Sequence, residues 1–242
     1  VRSEIEVGLY GAAYKFMDVL TVVPMMFMAL VLPPLTLAWK NQELDRTRYY
    51  LQRSFDAMFL LGLPILFGGV LMAKPLIVIV GGTEFATGFH YLQILMLALF
   101  AVFMSAIFTH AMIAMNQQKK MIKWFLLDAI VALTCYIIFI PKFGAVAAAW
   151  ITVLSEAVIA LFAFIQVSSI TKFRLEFTVA LKCLLAAGLM SAPIILWGGQ
   201  LRALFLIPIA GAVYGAAIFI LGAVPRDLLT QALSGRIKPS GN

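Results

Sequence analysis

The sequence predicts an all-α, polytopic membrane protein of about seven transmembrane helices. Hydrophobic residues make up 63% of the chain and charged residues 12%, against about 45 to 50% and about 25% in ordinary soluble domains. A soluble fold could not bury so much apolar surface. Seven apolar runs alternate with short polar links, and each run is close to the roughly 20 residues that one helix needs to cross the hydrocarbon core of a bilayer.

The first apolar run, residues 7–39, contains two charged residues and a proline in its interior. Lys15 and Asp18 are three positions apart, so a helix places them on one face and within pairing distance. Pro24 removes one backbone hydrogen bond further along the same helix. The run therefore predicts a spanning helix with ionisable side chains inside it.

The polar stretch 40–54 predicts a separate amphipathic helix on the membrane surface, because its few apolar residues fall on one face. Six further spanning helices are expected over residues 55–80, 89–114, 121–140, 145–167, 179–196 and 203–224. The link 141–144 is so short that the fourth and fifth spanning helices must form an antiparallel hairpin.

The basic residues indicate topology rather than nucleic-acid binding. The formal net charge is +7, but Lys and Arg occur mainly between apolar runs and form no patch with interleaved aromatic residues. With seven crossings, thirteen of the 18 Lys and Arg residues fall on one side of the membrane. Because cytoplasmic loops carry the excess of Lys and Arg, we expect the C-terminal tail to be cytoplasmic and Val1 to lie outside.

The sequence contains no motif of a familiar enzyme. There is no Walker loop, no HExxH arrangement and no assembled Ser/His/Asp set. Cys135 and Cys183 lie inside apolar runs, and His90 and His110 are solitary, so neither a disulfide nor a metal site is expected. We therefore predict a protein that is not an enzyme and that needs no cofactor.

Glu156 is the most deeply embedded of four ionisable residues within the apolar runs. A charge near the bilayer centre costs about 2.5 to 3.5 kcal/mol on insertion scales, so each such residue needs a partner, a water-filled cavity or a route to the interface. Nothing of opposite charge lies within one turn of Glu156. Three alternatives remain: Glu156 faces a cavity and couples an ion, it packs against a partner on another helix, or the boundary of this helix is misplaced.

The other three embedded charges allow two interpretations each. Lys15 and Asp18 either form an ion pair near the headgroups or line an outward-facing cavity that handles an anionic substrate or a proton. Asp128 either pairs with Lys123 or another nearby basic residue, or contributes to ion coupling.

The start of the chain lacks a methionine and the features of a signal peptide, so we expect it to begin inside a longer protein. Several motifs are also distinctive in their order and spacing. They are VGLYGAAYK at 7–15, GLPI at 62–65, LIVIVGGTEF at 76–85, IPKFGA at 140–145 and LSE at 154–156. Over residues 7–170 this pattern resembles the polysaccharide-biosynthesis flippases, which move O-antigen and other lipid-linked oligosaccharides, of the MATE-like (MOP) exporter superfamily.

That resemblance implies a transporter of two six-helix bundles facing a central cavity in the bacterial inner membrane. It would move polyprenyl-diphosphate-linked oligosaccharide by ion-coupled alternating access, with its site at the interface of related bundles. Residues 1–167 would form the second bundle without its first helix, 168–224 two additional helices, and 225–242 a cytoplasmic tail. The implied partners are the lipid-linked oligosaccharide, membrane lipids and the missing N-terminal half of the same protein.

Within this interpretation the embedded charges receive roles. Lys15 and Asp18 are the predicted substrate-binding residues, with Lys15 contacting the diphosphate. Glu156 and Asp128 are the predicted ion-coupling residues, and Asp18 is an alternative site for the coupling proton or sodium ion. Three other functions stay open: a cation-coupled multidrug exporter of the same superfamily, a non-transporting membrane scaffold for polysaccharide assembly, and a membrane-embedded glycosyltransferase.

Overall fold

The computed structural model describes residues 4–198 and 203–223, which are almost entirely helical and contain no strand. Seven of its helices are long and apolar enough to cross a membrane, as in a polytopic membrane protein. The helices are α1 (Glu4–Lys40), α2 (Leu44–Leu71), α3 (Ala73–Gly81), a 3-10 helix (Thr83–Gly88), α4 (Phe89–Ala114), α5 (Gln118–Phe143), α6 (Ala145–Thr171), α7 (Thr178–Trp197) and α8 (Ala203–Ile220).

The prediction of a separate surface helix over residues 40–54 is wrong. The chain turns within 41–43 and then forms α2 without a break, so the polar stretch is the first part of a spanning helix. Thr47, Leu51 and Ser54 are buried on one face of it, at the three- and four-residue spacing of a helix. This face therefore packs inside the protein, whereas the sequence pattern had predicted that it lies on the membrane surface.

The second apolar run, predicted as one helix over 55–80, is divided in two at Met72. Pro75 lies in the first turn of α3, where a backbone N–H has no helical partner and its absence costs little. In a continuous helix the missing N–H would leave the Leu71 carbonyl without its partner. The break at Met72 therefore places Pro75 where a helix tolerates it.

The core of the molecule is built around α4. It packs most extensively against α6, α1 and α2. In the most apolar 18-residue segment of the span that contains α4, 61% of the residues are buried, whereas no residue of the corresponding segment of α5 is buried. The fully buried α4 side chains include Leu92, Leu95, Leu99, Phe103 and Ile107. A central helix that is apolar on every side requires neighbours on every side, which explains why the other helices surround α4.

A second, smaller cluster joins α7 and α8 to the outer side of α2. Buried Cys183, Ala186 and Met190 of α7 pack there with Leu206 and Ala210 of α8. The Tyr214 hydroxyl donates to the Leu60 carbonyl of α2 at 2.8 Å. No neighbouring atom lies within 4 Å of a Cβ built at Gly211 or Gly215, so the GxxxG pair makes no close helix contact in the described part of the chain.

The links between helices gather at two ends of the bundle, as the alternation of crossings predicts. Arg48 Nε, near the start of α2, donates to the Thr171 carbonyl at the end of α6 at 2.8 Å. At the opposite end, Glu6 of α1 contacts Ala145 at the start of α6. This geometry agrees with the alternation of sides among the described helices. The predicted tail, 225–242, lies outside the described residues, and the assignment of the basic end to the cytoplasm stays a prediction.

Candidate carboxylate site between α1, α5 and α6

The α5–α6 hairpin is the platform of the candidate site, and it is antiparallel as predicted. Gly144 makes the turn with φ 68, a conformation that glycine adopts without steric cost. The Tyr136 and Thr152 hydroxyls lie 3.2 Å apart, and further along the rings of Trp124 and Phe162 lie 4.0 Å apart. These pairs bring residues of α5 and α6 into register at two levels.

Glu6 fastens the start of α1 to this platform. Its carboxylate accepts a hydrogen bond from the Ala145 backbone N–H at 2.8 Å, at the first residue of α6. The first N–H groups of a helix have no internal partner and carry partial positive charge, so a carboxylate there is favourable. A Cβ at Gly144 would also contact the same carboxylate, but it is the positive φ that explains why glycine occupies the turn.

Asp128 and Ser155 face each other across the hairpin. The Ser155 hydroxyl donates to Asp128 Oδ2 at 2.5 Å, so Asp128 contacts a hydroxyl and forms no ion pair with Lys123 in the described residues. Glu156 is next in sequence to Ser155, is partly buried, and lies within electrostatic range of Asp128. At 1.5 Å per residue Glu156 is about 17 Å along α6, near the middle of a spanning helix.

The third side of the site comes from α1, through a stripe of Tyr10, Tyr14 and Asp18 at four-residue spacing. Tyr14 lies close enough to interact electrostatically with both Asp18 and Glu156. The Tyr10 hydroxyl interacts with Thr152 of α6. Side chains four residues apart share a helical face, so Tyr10 and Tyr14 mark the face of α1 that interacts with the hairpin, and exposed Asp18 lies at the edge of that face. We call Asp128 and Glu156, with Asp18 at the edge and the hydroxyl groups around them, the carboxylate cluster.

Lys15 lies beside this stripe rather than in it. Its side chain is exposed, as is that of Asp18, and no ion pair joins the two residues in the described part of the chain. The pairing that the three-residue spacing allowed is therefore not formed. Lys15 is left accessible to an anion from outside the bundle.

The cluster is acidic and rich in hydroxyl groups. No Lys or Arg among residues 4–198 and 203–223 forms an ion pair with Asp18, Asp128 or Glu156. The described residues also contain no group of three or more His, Cys, Asp or Glu side chains close enough to hold a metal ion. Carboxylates within a spanning region, surrounded by hydroxyl groups and lacking a basic partner, can take up a proton or a weakly held monovalent cation.

Asp56 is a buried carboxylate that the sequence interpretation missed. Only 8% of its surface is exposed, and Gln52 Nε2 donates to its Oδ1 at 2.8 Å. Asp56 is the second residue of the apolar run 55–80, and no role was predicted for it from the sequence. Because the spanning helix begins eleven residues earlier than predicted, Asp56 lies well inside it; the four-residue spacing from Gln52 was the available signal.

The chain matches no protein-family model and no curated protein sequence. Its function is therefore inferred from the chemistry of the described residues and from the resemblance of its motifs.

Proposed function

We propose that this chain is the second helical bundle of a secondary transporter, and that the carboxylate cluster couples a proton or sodium ion to movement of its substrate. The observation that carries the proposal is that Asp128 and Glu156, from α5 and α6, lie within electrostatic range of each other, while Tyr14 of α1 lies within range of both Glu156 and Asp18. Placing a charged side chain near the bilayer centre costs about 2.5 to 3.5 kcal/mol. An apolar side chain would pack there without this cost. Reversible binding of a cation gives such carboxylates a use.

The proposed substrate is polyprenyl-diphosphate-linked oligosaccharide, carried across the bacterial inner membrane for surface polysaccharide biosynthesis. The resemblance of residues 7–170 to the flippases supports this substrate. The exposed and unpaired Lys15 supports it further, because an ammonium group is suited to a phosphate. In this proposal the remaining partner is a first helical bundle that faces the cluster, and the C-terminal tail is cytoplasmic.

The coupling role is tested with Glu156→Gln and Asp128→Asn in the full-length protein, with export of the polysaccharide and membrane abundance measured together. We expect each substitution to reduce export at least about tenfold, as for loss of an essential proton-transfer group, at unchanged abundance. Asp45→Asn is the matched control, because Asp45 is an exposed acidic residue outside the cluster. Normal export in both cluster variants would contradict the coupling role and favour a scaffold.

The substrate role of Lys15 has its own test. We expect Lys15→Ala to reduce export without lowering membrane abundance, whereas Lys74→Ala, at an exposed lysine on α3, leaves export unchanged. Lys15→Arg keeps the charge and should retain most export. If Lys15→Ala exports normally, Lys15 does not contact the diphosphate.

A second candidate function is a cation-coupled exporter of positively charged drugs. The observation that favours it is the aromatic and acidic lining of the cluster, where Tyr10, Tyr14 and Tyr136 lie near one another and Tyr14 lies near Asp18 and Glu156. Aromatic faces attract organic cations. Resistance to a cationic dye that depends on Glu156, in cells whose polysaccharide export is normal, would select this function over the flippase.

A further inference from the structure

Two cavities adjoin near the start of α2, and neither is lined by a residue of the carboxylate cluster. One is apolar, has a volume of about 310 Å³ and is lined by Phe27, Val31, Leu60 and their neighbours. The other has a volume of about 730 Å³ and is lined mainly by charged and polar side chains. Tyr49, Arg53, Asp56 and Val179 line both cavities, so the two form one cleft with a polar end and an apolar end.

The polar end, which we call the basic basin, is lined by basic and acidic side chains of α2 and the α6–α7 link. Arg48 is engaged there, since it pairs with Asp45 at 3.0 Å. Lys172 and Arg174 are exposed and form no ion pair with any described residue. The other charged residues that line it are Arg53, Asp56 and Glu176. Two cations therefore remain available to a ligand.

The link that bears these two cations is held in place by Gln52. Gln52 Nε2 donates to the Glu176 carbonyl at 2.9 Å, and the Glu176 N–H donates back to Gln52 Oε1 at 3.1 Å. Arg48 holds the Thr171 carbonyl on the other side of the link. A site whose backbone is fixed before the ligand arrives loses less conformational entropy on binding.

Tyr49 and Arg53 stand where the polar and apolar ends meet. The Arg53 guanidinium lies 5.1 Å from the centre of the Tyr49 ring. Tyrosine is typical of the level of the lipid headgroups, where its ring lies in the apolar layer and its hydroxyl in water. The cleft therefore changes from polar to apolar along the same direction as a bilayer leaflet.

We propose that this cleft binds an anionic phospholipid of the surrounding bilayer. Its phosphate lies at Lys172 and Arg174 in the basic basin, and one acyl chain enters the apolar cavity past Tyr49. Basic residues at a membrane surface attract anionic lipids, and the adjoining apolar cavity distinguishes a lipid from free phosphate. This site lies outside the carboxylate cluster and does not depend on the transport function.

The first test is native mass spectrometry of the purified full chain with equal amounts of phosphatidylglycerol and phosphatidylcholine. We expect preferential retention of phosphatidylglycerol, and a loss of about tenfold in that preference in the Lys172→Gln/Arg174→Gln double variant. The matched control is Lys119→Gln/Lys120→Gln, two exposed lysines on α5 at the same end of the bundle. Equal retention of the two lipids, or an equal effect of both double variants, would overturn the proposal.

A second test separates a lipid from a free anion. Ala57→Phe fills the apolar cavity that Ala57 lines and should weaken retention of phosphatidylglycerol while leaving the basic residues intact. Inorganic phosphate at millimolar concentration should neither displace the lipid nor raise the temperature of unfolding. Full competition by phosphate would show an anion site without a lipid chain and would refute the proposed ligand.

Discussion

The carboxylate cluster and the basic basin are two polar regions of one apolar molecule, and they satisfy their charges differently. In the cluster, Asp128 relies on one hydroxyl, that of Ser155, and Glu156 has no basic partner among the described residues. In the basin, Arg48 pairs with Asp45 and donates to the Thr171 carbonyl. Ion pairs and water are available at a helix end, whereas the middle of a span offers only other side chains. Single losses should therefore cost more in and around the cluster.

The largest effect on stability is expected at Gly144, in the turn of the α5–α6 hairpin. Gly144→Ala places a side chain at φ 68 and against the Glu6 carboxylate, so we expect a loss of about 2 to 4 kcal/mol in the free energy of unfolding. Denaturation of the purified protein in mixed micelles measures it. Gly11→Ala is the control, because nothing lies within 4 Å of a Cβ at Gly11; equal losses would show that the turn is not special.

Ser155→Ala is expected to have the next largest effect. It removes the hydroxyl that donates to Asp128 and leaves a carboxylate without its partner, at a cost of about 1 to 3 kcal/mol. The same unfolding measurement applies. Ser169→Ala removes a hydroxyl that donates to the Gln166 carbonyl on an exposed face and should change stability little. A neutral Ser155→Ala would mean that water reaches Asp128 freely.

In the basic basin a comparable deletion should cost less. Gln52→Leu removes the three hydrogen bonds to Asp56 and Glu176. Water can replace the two bonds to exposed Glu176 but not the one to buried Asp56, so we expect a loss of about 1 to 2 kcal/mol. Hydrogen exchange at the Glu176 amide should become faster, because that N–H donates to Gln52. Gln118→Leu, at an exposed position at the start of α5, should leave this exchange unchanged.

The smallest effect is expected at the rim, at the exposed pair Glu43–Arg46. The hydrogen bond from Arg46 lowers the pKa of the Glu43 carboxyl below its ordinary value of 4.5. A lowered folded-state pKa stabilises the fold above pH 4.5, and this contribution disappears as the pH falls through the folded-state value. Arg46→Gln should reduce the acid sensitivity of the unfolding temperature slightly, and high salt should mask the difference. If Arg46→Gln changed the stability as much as Ser155→Ala, the expected difference between exposed and embedded charges would be contradicted.

Much of the architecture follows from composition and periodicity alone. Long apolar runs require spanning helices in lipid, because each backbone polar group must find its partner within its own segment; this is why the helical spans and the α5–α6 hairpin could be predicted. The positions of Lys15 and Glu156 inside apolar runs could also be read from the sequence, whereas their functional roles stay a prediction. Such features depend on neighbours in sequence.

Other features were decided only by the tertiary structure, because they depend on residues that are far apart in the chain. The polar start of α2 is part of a spanning helix, and its residues Arg48 and Gln52 bind backbone carbonyls at the α6–α7 link, more than 120 positions away in the chain. Asp128 accepts a hydrogen bond from Ser155 and forms no ion pair with Lys123, and Lys15 forms none with Asp18, among the described residues. Spacing in the sequence shows which side chains could contact each other, whereas burial and the packing of other helices determine which of these contacts form.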